Sequence, residues 1–129
     1  MTDRAKFRVT LVIAAVMLMV GFGAWLVISP PGLCGNDVLS EKTSPSGNWR
    51  AVVFERSCGA TTGFSTQASV LKKHERLEDT AGNVIVPERA WDLKWASDRE
   101  LVVQYSKYYP PARKTAYVGD VQVTYEQLQ

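Results

Sequence analysis

The side chains best equipped for chemistry lie in one short stretch, Cys58-Gly59-Ala60-Thr61-Thr62-Gly63-Phe64-Ser65-Thr66. Its thiol and hydroxyls are nucleophiles or hydrogen-bonding groups, and its glycines let backbone amides converge on an anion. A thiol or hydroxyl hydrolase centred on Cys58–Ser65 is therefore one reading. Either nucleophile needs a base, however, and the single histidine, His74, sits in the charged run Lys72-Lys73-His74-Glu75-Arg76. The structural alternative is a turn whose hydroxyls satisfy their own backbone. Among functional readings, contact with a partner through Thr61, Thr62, Phe64 and Ser65 outranks catalysis, and no catalytic residue is assigned.

Two further groupings offer less. His74 has Glu78 four residues on, where the zinc-protease spacing needs a second histidine, so no metal or cofactor is expected. Trp91, Leu93, Trp95 and Tyr105 fall at strand spacing and are expected in the core. The Tyr108-Tyr109-Pro110-Pro111 segment is a better interaction candidate, because tyrosine and proline give stiff area at low entropic cost, although a plain hairpin connection is the favoured reading.

These residues are positioned by two quite different parts of the chain. Residues 9–28, Val9 to Ile28, form an unbroken apolar run with Thr10 as the only hydrophilic side chain. Twenty helical residues reach about 30 Å, the thickness of a bilayer's hydrocarbon layer. Arg4, Lys6 and Arg8 precede the run against Asp3 alone, which places residues 1–8 in the cytoplasm by the positive-inside rule. The run exceeds the usual core of a signal peptide, so a retained anchor is expected rather than a cleaved leader. Residues 29–36, with Pro30-Pro31-Gly32, read as a linker, and 37–129 as an exported domain. The expected location is a bacterial inner membrane, single-pass, with the carboxy-terminal domain periplasmic or extracellular.

The overall charge of +2 disappears once the anchor is set aside. Three of fifteen basic and one of thirteen acidic residues precede the run, leaving twelve of each. A neutral domain has no phosphate-tracking patch, so nucleic acid is not an expected partner. Both cysteines, Cys34 and Cys58, lie beyond the anchor, and outside the cytoplasm they are expected to form one disulfide. A third functional reading follows, a redox-sensitive module in which that bond is labile.

The exported part reads as short strands. Trp49 to Arg56, Thr66 to Leu71, Trp91 to Trp95 and Glu100 to Ser106 carry alternating or β-branched patterns, and Asp37 to Lys42, Val84 to Val86 and Thr115 to Tyr125 extend the series. Ser97-Asp98-Arg99 is a turn, and residues 72–83 read as a solvated hairpin loop. The expected fold is mainly β: an apolar helix followed by a small antiparallel domain, as a meander, sandwich or partly open barrel.

The stretch Ser44-Pro45-Ser46-Gly47, Ala51-Val52-Val53-Phe54 and Cys58-Gly59-Ala60-Thr61-Thr62-Gly63-Phe64 resembles a signature of small bacterial envelope proteins, S-P-D-G, A-V-V-F and C-G-A-T-T-G-F. Ser46 replaces the usual aspartate, with little consequence for a turn. The run from Trp95 to Tyr105 extends the resemblance loosely. It implies an exported β domain and transfers no catalytic residue, since no activity is established for that group. The favoured function is a membrane-anchored module that binds an envelope or secreted protein.

Overall fold

The computed structural model describes residues 2–28, with side chains for 2–25, and residues 33–59 and 62–129. It divides into two compact units, 1–32 and 33–129. The first is a single helix, α1 (Asp3–Ile28), which begins within the basic flank rather than at Val9. Thr10 Oγ1 donates to the Lys6 carbonyl at 3.0 Å, so its one hydroxyl is satisfied within the helix. The helix is long and apolar enough to cross a membrane, and its apolar side chains are exposed all round.

The second unit is a pair of open sheets. One contains β1 (Gly35–Thr43), β2 (Trp49–Ser57) and β3 (Ser65–Lys72) as an antiparallel meander. The other contains β4 (Trp91–Ser97), β5 (Glu100–Ser106), β6 (Tyr117–Val118) and β7 (Val121–Leu128) in the order β4-β5-β7-β6. β1 starts at Gly35, inside the stretch read as linker.

Alternation explains what fills the space between the sheets. Ala51, Ala68 and Val70 from the first sheet meet Leu93, Leu101, Val103, Val121 and Val123 from the second. Each burial removes apolar area worth roughly 25 cal/mol per Å² from water. Of the residues expected there from strand spacing, Leu93 is buried in this core, whereas Trp91, Trp95 and Tyr105 are only half-buried. Trp49, Trp91 and Trp95 pack only partly buried against it. Trp95 shows the reason: its indole N–H donates to the Lys42 carbonyl at 2.8 Å, and satisfying that donor holds the ring at the sheet edge.

Three local expectations are corrected. The β5–β7 pair is parallel, not antiparallel. Pro110-Pro111 lies in the connection after Ser106, which carries the chain back along the sheet until Gln122 N–H reaches the Arg99 carbonyl at 2.8 Å. Val84–Val86 is not a strand, because pairing stops at one bridge, Ala68 to Val84, before Pro87. Residues 72–83 are not a free loop. Arg50 donates to the Glu75 carbonyl, and Asn36 Nδ2 donates to the carbonyls of Glu78 at 2.8 Å and Thr80 at 2.7 Å.

This charged segment acts as a strap over the outer face of the first sheet. Val52 and Phe54, fully buried, occupy that face by alternation with Ala51 and Val53. Leu77 lines the crevice above it together with Val38 and Val52. The charges of the strap face water while its backbone shelters the sheet. At its far end Gly82 approaches the Ala68 backbone so closely that a Cβ would overlap the Ala68 carbonyl oxygen.

Candidate functional site

Cys34 and Cys58 are bonded to each other, and the expected disulfide is present. The bond ties the start of β1 to the chain just beyond β2, where Gly35 pairs with Ser57. No Cys58 thiol exists in this state to act as a nucleophile. The base is also misplaced for the hydroxyls. β2 and β3 pair from Arg56↔Ser65 at the Cys58 end to Trp49↔Lys72 at the other, and His74 follows Lys72. Seven residues of strand put those ends roughly 23 Å apart. Among the described residues, no three His, Cys, Asp or Glu side chains converge on one point.

The partner-contact residues fare differently from one another. Thr61 lies outside the described residues. Thr62 turns inward on its own loop, its N–H and Oγ1 both donating to the Gly59 carbonyl at 3.2 and 3.1 Å. That hydroxyl serves the turn. Phe64, 72% exposed, and Ser65 instead line the mouth of a cleft of about 580 Å³. Ser65 Oγ accepts from Gln67 Nε2 at 2.9 Å, and Gln67 Oε1 accepts the Gly82 N–H at 2.8 Å.

The opposite wall of the cleft is the segment from Val84 to Arg89. Tyr125 fixes it: the phenol donates to the Ile85 carbonyl at 2.7 Å and accepts the Thr115 N–H at 2.9 Å. Ile85 N–H in turn donates to Thr115 Oγ1 at 2.9 Å. Arg89 closes the wall and also lines an adjoining hollow of about 360 Å³, which shares Thr66 and Glu88 with the first. Ala90 follows with φ of 59°, a conformation costly for a side chain bearing a Cβ, and its carbonyl accepts the Ser106 N–H at 3.1 Å.

Arg89 joins the two candidate surfaces. Its guanidinium carbon lies 5.5 Å from the centre of the Tyr109 ring, a cation–π arrangement. Tyr108, 76% exposed, has Lys107 Nζ 5.3 Å from its ring centre. Phe64, Ser65 and Tyr109 are thus connected through a residue that sequence reasoning did not single out. The only local signal for Arg89 is its place after Pro87, between a broken strand and β4. Neither the long-range contact with Tyr109 nor the anchoring by Tyr125 leaves a mark at fixed spacing.

Comparison with family models, with curated proteins and with solved structures found no match to this chain. The cleft's own chemistry is a set of exposed aromatic and apolar side chains, the Arg89 guanidinium with the exposed Glu88 carboxylate beside it, and main-chain groups along a strand edge. The Cys58 thiol is consumed by the disulfide and the His74 imidazole is remote, so neither a free thiol nor a nearby imidazole base is at hand for the loop hydroxyls.

Proposed function

We propose that this is a single-pass membrane protein, amino terminus in the cytoplasm, whose disulfide-linked β domain binds another envelope or secreted protein at the cleft bordered by Phe64 and Arg89. The observation that carries the binding reading is the continuity from Phe64 across the cleft to Arg89 and Tyr109. Exposed aromatic residues beside an arginine are the composition found at the centres of protein interfaces.

The topological part is supported by α1 and by Arg4, Lys6 and Arg8 ahead of its apolar run. A disulfide supports an oxidising compartment for residues 33–129. The resemblance of residues 44–66 to exported bacterial envelope proteins points the same way.

Two experiments test the reading. A reporter enzyme active only in the cytoplasm, fused after Gln129, should be silent; strong activity contradicts the orientation. Crosslinking in native membranes, followed by identification of what copurifies, should recover a partner protein that Phe64→Ala and Arg89→Glu both lose. Recovery unchanged in both variants would place the partner elsewhere and contradict the site.

A further inference from the structure

β3 is an edge strand, and at residues 72, 70 and 68 its outward face is covered, with both main-chain groups bonded at Lys72 and Val70 and the carbonyl bonded at Ala68. Lys72 N–H donates to Glu75 Oε2, and the Lys72 carbonyl accepts the Glu75 N–H, both at 3.0 Å. Val70 N–H donates to Asn83 Oδ1 at 2.8 Å, and its carbonyl accepts from Asn83 Nδ2 at 2.9 Å. The Ala68 carbonyl accepts the Val84 N–H at 3.1 Å. Outward groups recur at every second residue, so the next pair belongs to Thr66. Among the described residues neither its N–H nor its C=O has an outward partner.

The gap has a structural cause. Continuing the antiparallel bridge of Ala68 and Val84 by two residues would set Val86 opposite Thr66, but bridging ends at Val84, ahead of Pro87. Thr66 therefore borders both the cleft and the adjoining hollow. Exposed strand edges are normally blunted, and here the blunting stops where Phe64 and Arg89 flank the opening.

We propose that this gap receives an extended peptide segment of another protein by β-strand addition. The segment donates to the Thr66 carbonyl and accepts the Thr66 N–H, lays an apolar side chain against Phe64 and Ile85, and presents a carboxylate to Arg89. The proposal rests on the protein-binding reading above and specifies its mode. Charge complementarity selects the acidic residue: the closest carboxylate to Arg89 is its neighbour Glu88 at 3.6 Å, well beyond the roughly 2.7–2.9 Å of a charge-assisted hydrogen bond. The guanidinium fork thus retains donors for an incoming carboxylate. Main-chain pairing supplies affinity and alternate side chains supply specificity, as in other strand-addition complexes.

The test uses the full chain in phospholipid nanodiscs and a phage-displayed heptapeptide library as the probe. A selected peptide is resynthesised with single N-methyl groups at each backbone nitrogen. Strand addition predicts a loss of roughly tenfold or more at the one nitrogen whose N–H pairs with the Thr66 carbonyl and tolerance at the others, and a similar loss for Thr66→Pro, which removes an outward donor. Thr66→Val keeps the main-chain groups and is expected to bind within about threefold of the parent protein. No selected peptide, N-methyl tolerance throughout, or a folded Thr66→Pro that binds normally would overturn the proposal; if that variant does not fold, the N-methyl pattern decides. A photoreactive benzoylphenylalanine in place of Phe64, activated in native membranes, separates the two levels. Adducts to another protein without the single sensitive nitrogen overturn strand addition and leave the binding reading intact. An adduct with a second copy of this chain overturns the proposed occupant, and no protein adduct overturns both readings.

Discussion

Lys42 and Asp92 join the edges of the two sheets: Nζ of Lys42 on β1 lies 2.7 Å from Oδ1 of Asp92 on β4. The same ammonium donates to the Leu93 carbonyl at 2.7 Å, while the Lys42 carbonyl accepts the Trp95 indole N–H. Asp98 makes a second tie by accepting the Ser46 N–H across to the turn between β1 and β2. The cleft depends on these edges because Asp92 borders the hollow next to Arg89.

The first tie should weaken in acid. The hydrogen bond from Lys42 holds the Asp92 carboxyl below its ordinary value of 3.8, against a smaller opposing effect of burial. Its stabilisation is therefore present above that ordinary value and is lost as pH falls through the lower folded-state value. Both side chains are well exposed, so screening limits the pair to about 0.5 kcal/mol. Asp92→Asn should remove this contribution, so that the unfolding free energy from urea titration falls about 0.5 kcal/mol less between pH 5 and pH 2 than in the parent protein. An identical acid response in the variant would show that the pair contributes nothing. Asp98 shifts in the same direction, chiefly through the Ser46 N–H, and acts in the same pH window.

Tyr125→Phe tests the wall of the cleft. Removing the phenol oxygen leaves the Thr115 N–H and Ile85 carbonyl without that bridge. A stability loss of about 1–2 kcal/mol is expected. Hydrogen exchange should also accelerate at Ile85 and Thr115. Unchanged exchange there would contradict an anchoring role for Tyr125.

Gly82→Ala tests the strap. The new methyl group meets the Ala68 carbonyl oxygen, a backbone atom held in β3, so the strap must shift. Overpacking of this kind costs about 1–3 kcal/mol. Chemical denaturation gives the cost, and amide exchange at Val70, whose N–H is capped by Asn83, reports whether the edge has opened. Stability and exchange matching the parent protein would refute the close approach.

The Cys34–Cys58 bond closes a separation of 24 residues. In the chain-entropy model its removal costs about 3 kcal/mol. The double variant Cys34→Ser, Cys58→Ser should show that loss in equilibrium unfolding. Thiol alkylation of the parent protein should label neither cysteine until a reductant is added, and two labelled thiols in freshly isolated protein would contradict the bond.

Much of the framework is legible in the residues because its signals are local. Alternation in Trp49–Arg56 and Glu100–Ser106 marks β2 and β5, and two cysteines beyond one apolar run suffice to suggest their pairing. What escapes is set by contacts distant in sequence. The parallel pairing of β5 with β7 depends on where the 107–116 connection delivers the chain. The strap looks like a solvated loop because its side chains are charged, whereas its placement comes from Asn36, Arg50 and Asn83. At the site, Phe64, Ser65 and Tyr109 are marked by type and loop position. Arg89 and Thr66 matter through the cleft and the unfinished strand edge, which only the folded chain reveals.

The central claim, that a protein docks beside Phe64, is tested most directly by photocrosslinking in native membranes with benzoylphenylalanine placed singly at Phe64, at Tyr109 and at exposed Gln122. The account predicts one common protein adduct from the first two positions, absent at Gln122 and lost when Arg89→Glu is added. Adducts of equal yield at all three positions, or none at Phe64, would contradict it.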